Sequence, residues 1–118
     1  MIFSPIKIGS LEVSNRIVVA PMCQYSAING VMTDWHTQHL MQLGYSAAGL
    51  IMVEATAVEK IGRITHNCVG IYDNKCIVSL KTNLQLAKSV APNQSCFGIQ
   101  LAHAGRKAST QRPWEGRS

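Results

Sequence analysis

Leu50-Ile51-Met52-Val53-Glu54-Ala55 is an uninterrupted apolar run that closes on a carboxylate, and it sits between two stretches of helical periodicity. A short run of this kind, without polar alternation, suits a strand covered on both faces of a parallel sheet. Ile17-Val18-Val19-Ala20 has the same character and is stopped by Pro21, which cannot donate to a central ladder. Cys96-Phe97-Gly98-Ile99-Gln100-Leu101 supplies a third strand.

The intervening segments read as helices. From Thr33 to about Ala47, Thr33 or Asp34 offers an N-cap, Leu40, Leu43 and Ala47 recur at helical spacing, and Gly49 stops the run. Asp73 caps a second helix in which Ile77, Leu80, Leu84 and Ala87 form the apolar stripe, opposite Lys75, Lys81, Gln85 and Lys88, with Pro92 at its end. Ahead of all this, Ile6-Lys7-Ile8 and Leu11-Glu12-Val13 flank Gly9-Ser10 as a short hairpin, read as a lid or plug. From His103 to Ser118 the chain reads as a loop rich in Gly, Arg and Ser.

The order after the hairpin is β-α-β-α-β, which imposes parallel strands and right-handed crossovers. Doubly wound sheets and (β/α)8 barrels both begin this way, and both bind ligands at the carboxyl ends of their strands. Pro21-Met22-Cys23, Glu54-Ala55-Thr56 and Gln100-Leu101-Ala102-His103 are therefore expected to share one mouth.

Composition narrows the class. With 118 residues, 47% hydrophobic and 14% charged, the chain is expected to form a single globular unit spanning residues 1–118, without a separate second domain. No apolar run reaches membrane-spanning length and no basic-then-apolar leader opens the chain, so a cytoplasmic protein with no membrane partner is expected. The net charge of +5 comes from basic residues scattered along the chain, with only Arg106, Lys107, Arg112 and Arg117 bunched, so no nucleic-acid partner is expected. Cys23, Cys68, Cys76 and Cys96 form no C-x-x-C pair, which argues against a zinc site or a disulfide scaffold.

At the mouth, Cys23 reads either as a small buried hydrophobe or as a functional thiol, with His36, His39 and His103 as candidate bases. Tyr25 offers a hydroxyl to a ligand or packs at the rim. Glu54 is either a paired structural carboxylate, for which Arg16 is a candidate partner, or an acid/base. Gln100 interrupts an apolar strand, and a buried amide there needs partners for both its carbonyl and its NH2, such as backbone or a planar heterocycle. No P-loop and no G-x-G-x-x-G occurs.

Four ordered motifs, Asn15-Arg16-Ile17-Val18-Val19-Ala20-Pro21-Met22-Cys23-Gln24-Tyr25-Ser26, Val53-Glu54-Ala55, Gly62-Arg63-Ile64 and Gln100-Leu101-Ala102-His103-Ala104-Gly105-Arg106-Lys107, resemble the old yellow enzyme family, best in its cysteine-containing bacterial ene-reductase branch. The resemblance runs from about Phe3 to Glu115 and departs from the family at Asn74-Lys75-Cys76, where packing is concerned more than flavin. It implies a (β/α)8 barrel closed below by the hairpin, with FMN as cofactor, NADPH or NADH as hydride donor, and the activated C=C bond of an α,β-unsaturated carbonyl compound as substrate. It further implies that Ala20, Pro21, Met22 and Cys23 line the flavin ring, with Cys23 tuning its redox state. Ala55 and Gln100 would also contact the ring, and Tyr25 would face the substrate as a binding or proton-donating hydroxyl. Full-length relatives would be homo-oligomers. A barrel of this kind needs about 250 residues, so the chain is expected to be its N-terminal part. The phosphate site and the residues that grip the substrate carbonyl would lie outside it. A non-catalytic remnant, or a fragment completed by a partner, is the alternative expectation.

Overall fold

A computed structural model describes residues 1–92 and 95–115; the last three residues of the expected C-terminal loop lie outside the described residues. The hairpin is present as β1 (Ile6–Ile8) and β2 (Leu11–Val13), antiparallel, with Ile8 opposite Leu11. Gly9 carries its turn at φ +61, a conformation open to glycine at little cost. Val13 is buried, and the Cys96 thiol at the start of the third parallel strand lies 3.8 Å from the Glu12 carbonyl oxygen. The hairpin thus closes the amino ends of the sheet, opposite the mouth.

The sheet contains β3 (Val18–Val19), β4 (Leu50–Ala57) and β5 (Cys96–Ala102), parallel and in sequence order. β3 is shorter than the expected Ile17–Ala20, and Val18 is half exposed rather than covered on both faces. β4 and β5 both run slightly past their expected ends. Between the pairs Val53–Ile99 and Thr56–Leu101 the register shifts, setting Glu54 and Ala55 opposite Gln100 alone. Such a bulge bends a strand and re-aims its side chains, and here it falls at the expected mouth.

α1 (Asp34–Tyr45) and α2 (Asn74–Val90) pack together on the sheet. Thr33 is the N-cap of α1, and its backbone N–H donates to His36 Nδ1 at 3.0 Å, so a histidine takes the place that Glu or Gln holds in a capping box. The chain leaves α1 after Tyr45, with Ala47 at φ +62, two residues before Gly49. In α2, Asp73 accepts from the Cys76 N–H as expected of a cap. The buried face, however, is Cys76, Leu80, Asn83 and Ala87, and Ile77 points half into solvent. Asn83 is tolerated there because its Oδ1 accepts the Thr37 hydroxyl at 2.7 Å and its Nδ2 donates to the Ser79 carbonyl at 2.8 Å. The core joins Leu40, Val53, Leu80 and Ala87 to Ala27, Met32 and Val69 from the loops, with Phe97 and Ile99 packed against it. Among the described residues no helix is long and apolar enough to cross a membrane.

Candidate functional site

The loop after β3 is built around Gln24. Its backbone N–H donates to Glu54 Oε2 at 3.0 Å, its carbonyl accepts the Ser26 hydroxyl at 2.9 Å, its Nε2 donates to the Met22 carbonyl at 2.8 Å, and its Oε1 accepts the Trp35 indole N–H at 2.9 Å. With its polar groups engaged in this way, Gln24 fixes the turn that carries Cys23 on one side and Tyr25 on the other. Tyr25 sits at φ +52, a left-handed conformation that a bulky residue keeps only where its surroundings hold it. Thr33 adds a further tie by donating its hydroxyl to the Ser26 carbonyl at 3.1 Å.

Cys23 is half-buried. Burial pushes its thiol above the ordinary range, and the Cys68 thiol and Glu54 carboxylate push the same way, against the Ala55 backbone N–H and the Tyr25 hydroxyl. The first two motifs therefore meet here, through Cys23 and Ala55. The Tyr25 hydroxyl is raised as well, by burial first and then by Cys23 and Cys68. Trp114 meets the Tyr25 ring edge-on, with centroids 5.7 Å apart at 77°, and the Arg112 guanidinium lies 5.5 Å from the Trp114 ring centroid. Cys23, Gln24, Ser26, Trp35 and Trp114 line a concavity of about 490 Å3.

Ala20 and Met22 are exposed, Pro21 is half-buried and Ala55 is buried behind them. Gln100 is exposed, contrary to the expected buried amide: β5 pairs with β4 alone among the described residues, so nothing covers the sheet face and edge at its side chain. Its carbonyl and NH2 are consequently open to an outside partner, and it stands across the β4 bulge from Ala55.

Glu54 pairs with His36, not with Arg16, which is exposed. His36 Nε2 lies 3.3 Å from Glu54 Oε1, off the line of an ideal hydrogen bond, and both side chains are buried. The sequence places His36 in a helix without showing that its ring returns to β4, and it holds Gln24 inside the first motif without showing its contacts, so neither role was visible there. His103 belongs to the rim: its Nε2 lies 3.3 Å from Glu59 Oε2, its ring packs on Gly62, and the Ala104 N–H donates to the Gly62 carbonyl at 2.8 Å. Of the three candidate bases, His36 faces Glu54 and His103 faces Glu59, and none of His36, His39 and His103 is hydrogen-bonded to Cys23. Among the described residues no cluster of ligating side chains suits a metal ion.

A thiol and a phenol in the loop after β3 and an open amide on β5 thus share one end of a parallel sheet, and comparison with known proteins places the chain in a family. A sequence model of the NADH:flavin oxidoreductase / NADH oxidase family matches residues 1–116, and the chain belongs to that family of oxidoreductases, whose cofactor is FMN. It is 47% identical over 113 residues to the NADH:flavin oxidoreductase FG08077 of Gibberella zeae, covering 96% of this chain and 27% of that protein. With the NADPH dehydrogenase of Listeria welshimeri it shares 39% identity over 109 residues, covering 91% and 31%. Among solved structures it superposes on the old yellow enzyme from Pichia sp. AKU4542 with a TM-score of 0.80 at 27% identity, and on morphinone reductase with 0.76 at 26%. Each superposition covers 91% of this chain and 27% of the other. The fold is thus part of an old yellow enzyme barrel, and the chain spans under a third of the length of these relatives.

Proposed function

We propose that residues 1–118 are part of a single barrel domain of an FMN-dependent NAD(P)H oxidoreductase that reduces the activated C=C bond of α,β-unsaturated carbonyl compounds. The observation that carries this reading is the convergence of Cys23, Ala55 and Gln100 at the carboxyl ends of three adjacent parallel strands. The residues present suit a flavin. Ala20, Pro21 and Met22 offer a bench of small or flexible apolar groups for a planar ring, and Ala55 adds no bulk behind them. The exposed Gln100 amide presents a donor and an acceptor of the kind a pyrimidine edge requires.

When bound, FMN supplies the hydride chemistry, passing two electrons from NADPH or NADH to the alkene. This chain's residues then bind and orient. Gln100 would hold the flavin through its amide, Cys23 would place its thiol beside it, and Tyr25 would offer its hydroxyl to the substrate as a hydrogen-bond or proton donor. A phenol carries that proton at neutral pH.

Titrating the chain with FMN by quenching of flavin fluorescence, with anaerobic NADPH oxidation alongside, tests the reading. Saturable binding that weakens when Gln100 is replaced supports it, and absence of FMN binding both by the chain alone and after the remaining barrel is added as a separate chain removes it. A second reading, a fragment that a complementary chain must complete, is favoured by the edge of β5, which pairs with β4 alone among the described residues, and by Leu101, 62% exposed on that strand. On that reading FMN binding and turnover appear only after the remaining barrel is added as a separate chain.

A further inference from the structure

Glu54 takes no part in the proposed chemistry, yet among the described residues it is the only buried carboxylate. It is 5% exposed and faces His36, which is 0% exposed. Because the Thr33 N–H donates to His36 Nδ1, that nitrogen is an acceptor and the ring proton is assigned to Nε2, the atom facing Glu54 Oε1 at 3.3 Å. The other carboxylate oxygen accepts the Gln24 N–H at 3.0 Å. One carboxylate therefore joins the first turn of α1, the bulge of β4 and the backbone between Cys23 and Tyr25. A buried carboxylate is costly unless paired, and a purely mechanical tie would need only a neutral acceptor.

We propose that the Glu54–His36 pair is a positioning device for the flavin-side turn. It anchors Gln24 so that Cys23 and Tyr25 point into the mouth, and it holds a negative charge beside the Cys23 thiol. The groups that act electrostatically on this thiol are Cys68 from the loop after β4, Glu54 and the Ala55 N–H from β4, and Tyr25 from its own loop. On the α1 side, His39 also feels Glu54, and burial holds its imidazole below the ordinary range. Burial first, then Cys68, and then this carboxylate oppose loss of the thiol proton, so Cys23 stands as a neutral neighbour for a flavin ring rather than a nucleophile. This purpose rests on the flavin reading, whereas the geometry stands on the chain alone.

The test is alkylation of Cys23 by iodoacetamide from neutral to alkaline pH, read by peptide mass mapping that separates it from Cys68, Cys76 and Cys96. Glu54→Gln keeps an oxygen for the Gln24 N–H and removes the charge. Its Cys23 profile is expected to shift to lower pH, raising the alkylation rate at neutral pH severalfold. The rate at Cys96 is expected to stay as it was. An unshifted Cys23 profile in a variant with native circular dichroism overturns the proposal. If Glu54→Gln does not fold, the 15N shifts of the His36 ring in the unsubstituted chain decide. A protonated Nε2 with an unprotonated Nδ1 supports the pair, and a protonated Nδ1 overturns it. None of these readouts uses flavin, so a shifted Cys23 profile with FMN binding absent even after the remaining barrel is added removes the functional reading and leaves the device standing.

Discussion

Asn15 and Gly49 are locked together at the foot of the sheet: the Gly49 N–H donates to Asn15 Oδ1 at 2.8 Å, and a Cβ on Gly49 would collide with the Asn15 backbone carbonyl. Asn15 also donates through Nδ2 to the Ala47 carbonyl at 2.8 Å, and its Oδ1 accepts the Ile17 N–H at 3.1 Å. A single side chain, 7% exposed, thus joins the entry to β3 with the turn between α1 and β4. Replacing Asn15 with Ala leaves buried backbone groups without partners, at about 1–3 kcal/mol for each. The expected outcome for Asn15→Ala is a loss of about 2–4 kcal/mol, read from urea unfolding. Gly49→Ala should lose a comparable amount by steric conflict, and a near-native midpoint for both variants would contradict the arrangement.

The thiols and phenols set an alkaline limit. Burial raises Cys23, Tyr25, Tyr72 and Cys76 above their ordinary values. The folded chain therefore holds these protons more tightly than the unfolded chain. Their contribution to stability is complete below the ordinary thiol and phenol ranges, about pH 8.5 and about pH 10, and is lost as pH rises through the higher folded values. The urea midpoint should accordingly fall between neutral and strongly alkaline pH, and Cys23→Ser should shallow that fall.

Periodicity alone located the strands, both helices and the Asp73 cap, because these depend on local pattern. It misassigned what depends on neighbours. Ile77 fits the apolar stripe of α2 by spacing, but the packing face is rotated onto Cys76 and Asn83, and Asn83 is acceptable only because Thr37 of α1 and Ser79 satisfy it. Glu54 was readable as a paired carboxylate at a strand end, yet its partner is His36 and not the nearer-looking Arg16, since only tertiary contact brings the α1 N-terminus to the β4 bulge. The bulge itself, opposite Gln100, has no glycine or proline to announce it.

Gln100 separates binding from folding. Its side chain is exposed on β5, so Gln100→Ala should change unfolding free energy by no more than about 0.5 kcal/mol. If the amide holds the flavin edge, the same change removes hydrogen bonds worth about 1–2 kcal/mol, or roughly five- to thirtyfold in FMN affinity. Fluorescence titration and urea unfolding of one preparation measure both. Unchanged FMN affinity would take Gln100 out of the site.

Tyr25 allows backbone, packing and chemistry to be distinguished at one position. Tyr25→Phe keeps the edge-on contact with Trp114 and the left-handed backbone, so its stability should stay within about 0.5 kcal/mol of the parent. FMN affinity should hold as well, while turnover of an enone by the FMN-loaded protein should fall about a hundredfold, the usual scale for loss of a general acid. Tyr25→Val should behave in the opposite sense. A β-branched residue at φ +52 adds about 1–2 kcal/mol of backbone strain, and loss of the ring contact removes about 0.5–1.5 kcal/mol more. Its unfolding midpoint should therefore drop clearly below that of Tyr25→Phe. Equal turnover in the parent and Tyr25→Phe would assign the phenol to packing at the rim and leave the proton to another donor.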